Sequence, residues 1–164
     1  MPANAVSTRI AAYQYPRRRH SVTRARDDLR RQLATWRVRG EVAYDAEVLV
    51  SELATNAVNA KVLPDKEIRV EVTLAQGELR IEVADASEEL PVIRCAGEWD
   101  EGGRGLVLVK ALAKEWGVGP REGVGKVVWA VLSVPDATLD PPNLQNAALD
   151  SPDTTPNLPS TAPN

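Results

Sequence analysis

Residues 48–59 read VLVSELATNAVN, and the rest of the chain is organised around this stretch. On a helix, Glu52 and Asn56 lie four residues apart on one face, with Asn59 a further turn along. Val48, Leu49, Leu53, Ala57 and Val58 form an apolar stripe that would seat the helix against a sheet. A carboxylate and an amide stacked on one face can hold a hydrated metal ion. Mg²⁺ prefers oxygen ligands, keeps several waters, and is usually bound by one or two protein groups plus substrate phosphates. An Asn carbonyl oxygen suits that role, and a neighbouring Glu can accept a proton or orient a hydroxyl. The bland reading of the same spacing is the solvated face of an amphipathic helix, so the stretch needs support from its flanks.

Upstream, residues 9–15 (RIAAYQY) read as a short strand stopped by Pro16. Ser21 is a candidate N-cap for a helix carrying Val22, Ala25, Leu29, Leu33 and Trp36 at spacings of three and four. That helix is expected to end near Gly40, and the Glu52/Asn56 helix to run over 44–60. Downstream the period switches to two. Ile68, Val70, Val72 and Leu74, then Leu79, Ile81 and Val83, alternate with polar residues across Gln76 and Gly77, predicting an antiparallel hairpin. Residues 86–103 show little periodicity and read as a loop. Residues 106–116 are helical by pattern and stop at Gly117, and 126–134 (KVVWAVLSV) is the best strand in the chain. Helices and antiparallel strands alternate. The fold class is therefore α+β, a two-layer sandwich of a mixed, mostly antiparallel sheet with helices on one face.

At 164 residues the chain suits one domain, and its 43% hydrophobic and 26% charged residues are ordinary for a soluble globular protein. One cysteine, Cys95, excludes an intrachain disulfide and a cysteine-cluster metal site, and one histidine, His20, lowers the case for His-centred triads. With no signal peptide or span of roughly 20 apolar residues, the expected location is cytoplasmic, away from membranes. The net charge is −3, but residues 135–164 hold four acids, no base and seven of the twelve prolines. That composition cannot build a core, so 135–164 is expected to be a disordered tail, 1–8 a flexible end and 9–134 the folded domain. Arg17, Arg18, Arg19, Arg24, Arg26, Arg30 and Arg31 crowd the N-terminal part. They lack interleaved aromatics and pass straight into a helix, which favours a solvated or protein-docking face over direct nucleic-acid binding.

Two further pieces bear on chemistry. Asp85, in VADASEELP, closes a strand where it opens into a loop, and a carboxylate there can accept the exocyclic amine of adenine. The structural alternative is a turn-forming Asp followed by a turn-forming Ser87. Gly102, Gly103, Arg104 and Gly105 stand before a helix, where glycines allow close approach and free N–H groups attract phosphate. Arg104 adds a phosphate-pairing fork. No Walker loop is present: the lysine and hydroxyl that should open the helix are missing, and the GVGK of residues 123–126 runs into a strand.

Taken in order, these motifs resemble the GHKL ATPase family, and within it the small stand-alone anti-sigma ATP-binding domains. SELATNAVN is similar to their N-box, VADAS to the first glycine box, EGGRGLVLVKALAKEWGV to the second, and GKVVWAVL to the closing strand. The resemblance implies ATP and Mg²⁺ as cofactors, Glu52 as catalytic base, Asn56 as Mg²⁺ ligand and Asp85 as adenine partner. It also implies Gly103, Arg104 and Gly105 as the phosphate-side turn, Asn59 and Leu106 among the nucleotide-binding residues, and 86–102 as a lid. The implied function is a serine/threonine kinase that phosphorylates an anti-anti-sigma antagonist, otherwise holds a sigma factor, and can form a homodimer. The alternative is a nucleotide-gated binding module with little or no kinase activity. Departures from the family pattern fall at Ser87, where a glycine is usual, and at Val127, where a threonine would place a hydroxyl near the nucleotide.

Overall fold

The computed structural model describes residues 7–61, 66–90 and 104–135. Its elements run β1 (Arg9–Pro16), α1 (Arg19–Thr35), α2 (Glu41–Asn59), β2 (Glu67–Ala75), β3 (Glu78–Asp85), α3 (Arg104–Leu112), β4 (Glu115–Pro120) and β5 (Lys126–Ser133). The five strands form one sheet in the order β1-β2-β3-β5-β4. All four pairings are antiparallel, so the mixed sheet expected from the sequence carries no parallel pair among the described strands.

The alternation read in the sequence sets the sheet's two faces. Ile68, Val70, Val72 and Leu74 of β2 and Leu79, Ile81 and Val83 of β3 are buried, while the residues between them are more open. Between the strands, Gln76 (φ 53°) and Gly77 (φ 72°) both adopt left-handed backbone, the two-residue hairpin turn that matches strand twist. Leu49, Val50, Leu53, Ala54, Ala57 and Val58 of α2 join the same core as those strand residues. The helix therefore lies on the sheet through Leu49, Leu53, Ala57 and Val58 of the expected stripe, with Val50 and Ala54 buried as well and Val48 only half-buried. Trp129, on the opposite face of β5, sits over Gly117 of β4, where a Cβ would come within 2.6 Å of the indole ring. Arg80 stacks on the same ring at 4.2 Å.

Local departures have identifiable causes. Ser21 does not cap α1: it lies inside the first turn, buried, and its hydroxyl donates to the Pro16 carbonyl at 2.6 Å. The helix starts three residues earlier than a Ser21 cap would set, because Pro16 ends the strand and Arg18 stays extended as the residue before the helix. Helix α1 stops at Thr35 rather than near Gly40. Arg37 takes a positive φ (60°), and Gly40 (φ 74°) instead precedes the first turn of α2. The helix expected over 106–116 ends at Leu112, and Glu115–Pro120 is a strand. Residues 1–6, 62–65, 91–103 and 136–164 lie outside the described residues, and with them Cys95, Gly102, Gly103, most of the expected lid and nearly all of the expected tail.

Candidate functional site

Helix α2 carries the two side chains that opened the sequence reading, and it packs against β3, β5 and α3. Glu52 and Asn56 are both half-buried on it, between the fully buried positions Leu53, Ala54, Ala57 and Val58. Burial raises the Glu52 pKa above its ordinary range, and no described cation offsets that rise. The Asn56 side-chain nitrogen is shut off from solvent and has no hydrogen-bond partner among the described residues. Buried amides are nearly always partnered, so this donor stands out among the described residues. Asn59, the last residue of α2, is exposed. The end of the helix is held by Arg17, whose guanidinium donates to the Val58 and Ala60 carbonyls at 3.2 and 3.0 Å.

Asp85 ends β3 and is 2% exposed. Its Oδ1 accepts the Ser87 backbone N–H at 2.7 Å and the Lys126 ammonium at 3.0 Å. The Ser87 hydroxyl in turn accepts the Glu89 N–H at 3.2 Å. The turn-forming reading of Asp85 and Ser87 thus holds, and it is compatible with a ligand role because one carboxylate oxygen carries both bonds. Two neighbours were not singled out by the sequence reading. Lys126 lies directly across from Asp85 in the β3–β5 register and is 7% exposed. Gly125 takes φ +123°, and a Cβ there would fall 2.0 Å from the Asp85 carbonyl oxygen. Val127 pairs with Ala84, one step along, so its side chain alternates to the other face of the sheet. The hydroxyl lost at position 127 is therefore not one that would face Asp85.

Arg104, Gly105 and Leu106 form the first turn of α3, where backbone N–H groups have no intrahelical acceptor. The Leu106 side chain is buried, so anything it offers a ligand comes from its backbone. Among the described residues no cluster of three or more His, Cys, Asp and Glu could cage a metal ion. An ion at Asn56 would therefore be of the kind that one or two side chains share with phosphates. The atom of Asn56 that could ligate Mg²⁺ is its carbonyl oxygen; the unpartnered amide nitrogen beside it is a donor and suits a phosphate oxygen.

The sequence matches the histidine kinase-like ATPase domain family over residues 15–132, a span inside the expected 9–134 unit. The chain belongs to that family, and the ligand class that comes with an ATPase domain is ATP. One solved structure agrees on the fold. The RsbU and RsbW domains of Rv1364c from Mycobacterium tuberculosis superpose with a TM-score of 0.59 at 22% identity, over 76% of this chain and 32% of that one. The histidine kinase domain of the blue-light activated histidine kinase of Erythrobacter litoralis EL346 gives 0.45 at 22% identity, over 73% and 61%. This chain thus spans about a third of the first of these and under two thirds of the second. No curated protein matches it. No helix among the described residues is long and apolar enough to cross a membrane.

Proposed function

We propose that this protein is an ATP-dependent serine/threonine kinase of the anti-sigma type. It transfers phosphate to an anti-anti-sigma antagonist and, when that antagonist is absent, holds a sigma factor. The observation that carries the reading is the pair on α2: a carboxylate desolvated without a counter-ion, one turn from an amide whose nitrogen is buried without a partner. Neither arrangement contributes to stability, and both suit a site completed by a ligand. The order of motifs and the family membership support the same reading.

In this mechanism Asp85 accepts the exocyclic amine of adenine, and the first turn of α3 receives phosphate oxygens. Asn56 would hold a Mg²⁺ ion through its carbonyl oxygen, where the ion would neutralise charge on the transferring phosphoryl group. Glu52 takes the proton of the incoming serine or threonine hydroxyl as its oxygen bonds to the γ-phosphorus, while the bond to the β–γ bridging oxygen breaks and ADP leaves. A carboxyl whose pKa is raised by burial lies closer to the working pH and is the better base for it.

The test is phosphate transfer from ATP to the candidate antagonist, alongside nucleotide binding by calorimetry. Glu52→Gln keeps size and hydrogen bonding, so ATP binding should survive while transfer falls by about 10²–10⁴-fold, the usual worth of a positioned general base. No heat with ATP or ADP in the presence of Mg²⁺ would sink the nucleotide reading. Transfer at an unchanged rate in the variant would remove Glu52 from the base role. Absence of transfer with intact ATP-dependent partner binding would leave a nucleotide-gated binder in place of a kinase.

A further inference from the structure

The proposed adenine contact leaves Lys126 without a task, yet it is one of four buried polar or charged residues among the described ones, with Ser21, Asp85 and Ser87. A buried ammonium presents three donors and no acceptor. One of its protons goes to Asp85 Oδ1 at 3.0 Å, and a second reaches the Ser87 carbonyl at the long distance of 3.5 Å. Among the described residues nothing takes the third. On the carboxylate the counterpart holds: both donors fall on Oδ1, and no described donor reaches Oδ2. An unused acceptor and an unused donor therefore stand side by side on adjoining strands, in a pair that Gly125 keeps pressed against the backbone at Asp85.

That pairing has a chemical complement. A 6-aminopurine presents on its Watson–Crick edge an amine donor at C6 and, on the neighbouring ring position, the N1 acceptor. We propose that Lys126 is a specificity-determining residue that donates to N1 while Asp85 accepts from the 6-amine; this rests on the ATP-binding reading above. The order also excludes. A 6-oxopurine inverts both partners, setting O6 against the carboxylate and N1–H against the ammonium, so each contact becomes repulsive. Lys126 has a second effect: its charge pairs with Asp85, so that Asp85 is not a lone buried carboxylate.

The experiment uses the full chain with Mg²⁺ and compares three nucleotides: ATP, 1-deaza-ATP, which lacks the N1 acceptor, and purine riboside triphosphate, which lacks the 6-amine. Affinities are read by calorimetry on wild type and on Lys126→Met. Wild type should bind 1-deaza-ATP about 10- to 100-fold more weakly than ATP, the worth of a hydrogen bond from a charged donor. In Lys126→Met that ratio should collapse toward one, while purine riboside triphosphate stays weaker than ATP in both proteins. The decisive change is on the ligand, so wild type alone can settle the question if Lys126→Met, with its stranded carboxylate, does not fold. Lys126→Gln, which keeps a neutral donor, should then retain part of the discrimination. Wild type binding 1-deaza-ATP as tightly as ATP overturns the proposal and leaves Lys126 as a counter-ion. Failure to bind ATP at all overturns the functional reading beneath it as well, so the two failures are distinct.

Discussion

The polar groups beneath α1 and those on α2 are finished differently. Under α1 they are matched: the Tyr13 hydroxyl donates to Gln32 at 3.1 Å and the Tyr15 hydroxyl to Asp28 at 2.7 Å. Burial, then the bond to Asp28, pushes the Tyr15 phenol up out of its ordinary range. Desolvation pushes Asp28 up too, but the hydrogen bonds from Tyr15 and Arg31 outweigh it and hold this carboxyl below its usual value. On α2 the same accounting stays open, with Glu52 raised by burial and the Asn56 nitrogen unpartnered. Matched polar groups lock β1 to α1, whereas unmatched ones cost stability that only a ligand can return. One region is closed within the fold; the other is left open, as the proposed nucleotide site requires.

The largest expected effect comes from the backbone that carries the open region. Gly125→Ala would force a Cβ to within 2.0 Å of the Asp85 carbonyl oxygen, at a φ that side-chain-bearing residues rarely take. Strain and overpacking together predict a loss on the order of 3–5 kcal/mol in chemical denaturation, and loss of nucleotide binding beyond what unfolding explains. A variant that keeps both stability and binding would show that β5 can move away from Asp85, so that the pair with Lys126 is not held in place.

A second experiment sets the two regions directly against each other. Tyr15→Phe removes a donor to a charged acceptor and should cost about 1.5 kcal/mol while leaving ATP affinity alone. Asn56→Leu removes an amide whose buried nitrogen bonds to nothing described, so the nucleotide-free protein should be unchanged or up to about 1 kcal/mol more stable. The same change should weaken Mg²⁺-dependent ATP binding by at least about tenfold. Equal stability losses in both variants would mean that the Asn56 amide already has structural work, and the contrast between the regions would fall.

How much of this could be read in advance depends on how local each signal is. The hairpin was legible because its period of two and its Gln76-Gly77 turn are both contained within the segment. The seat of α2 was legible because its stripe is one helix face. Strand β4 was not. WGVGP has two glycines and a proline, and the apolar pattern of α3 runs on through Trp116, so only pairing with β5 and the space Gly117 leaves for Trp129 reveal it. Lys126 was passed over for a related reason. A lysine at the start of a strand reads as solvated, and its burial follows from a register set 41 residues away. Glu52 and Asn56 were singled out by spacing, but spacing cannot say that one is desolvated and the other orphaned.

The smallest expected effect lies in the pH dependence, where the two regions should respond with opposite sign. Asp28 has its pKa lowered in the fold, so its contribution is present above the ordinary carboxylate range and is lost as pH falls through the folded value. Glu52 is raised, so the native state holds that proton more tightly than the unfolded chain does. Its favourable contribution is complete below the ordinary value of 4.5 and is lost as pH rises through the higher folded value. Glu52→Gln cannot ionise and escapes that loss. The empty variant should therefore melt higher than wild type at pH 7.5, and the gain should shrink to nothing as the pH is brought below about 4. Asp28→Asn should do the reverse, melting lower than wild type at pH 7.5 and converging with it in acid. Thermal melts of the three proteins across that range decide the matter. A Glu52→Gln gain that persists undiminished in acid would mean that the carboxylate's charge is not the source of the cost, and the region on α2 would have to be open for some other reason than a buried, unpaired ion.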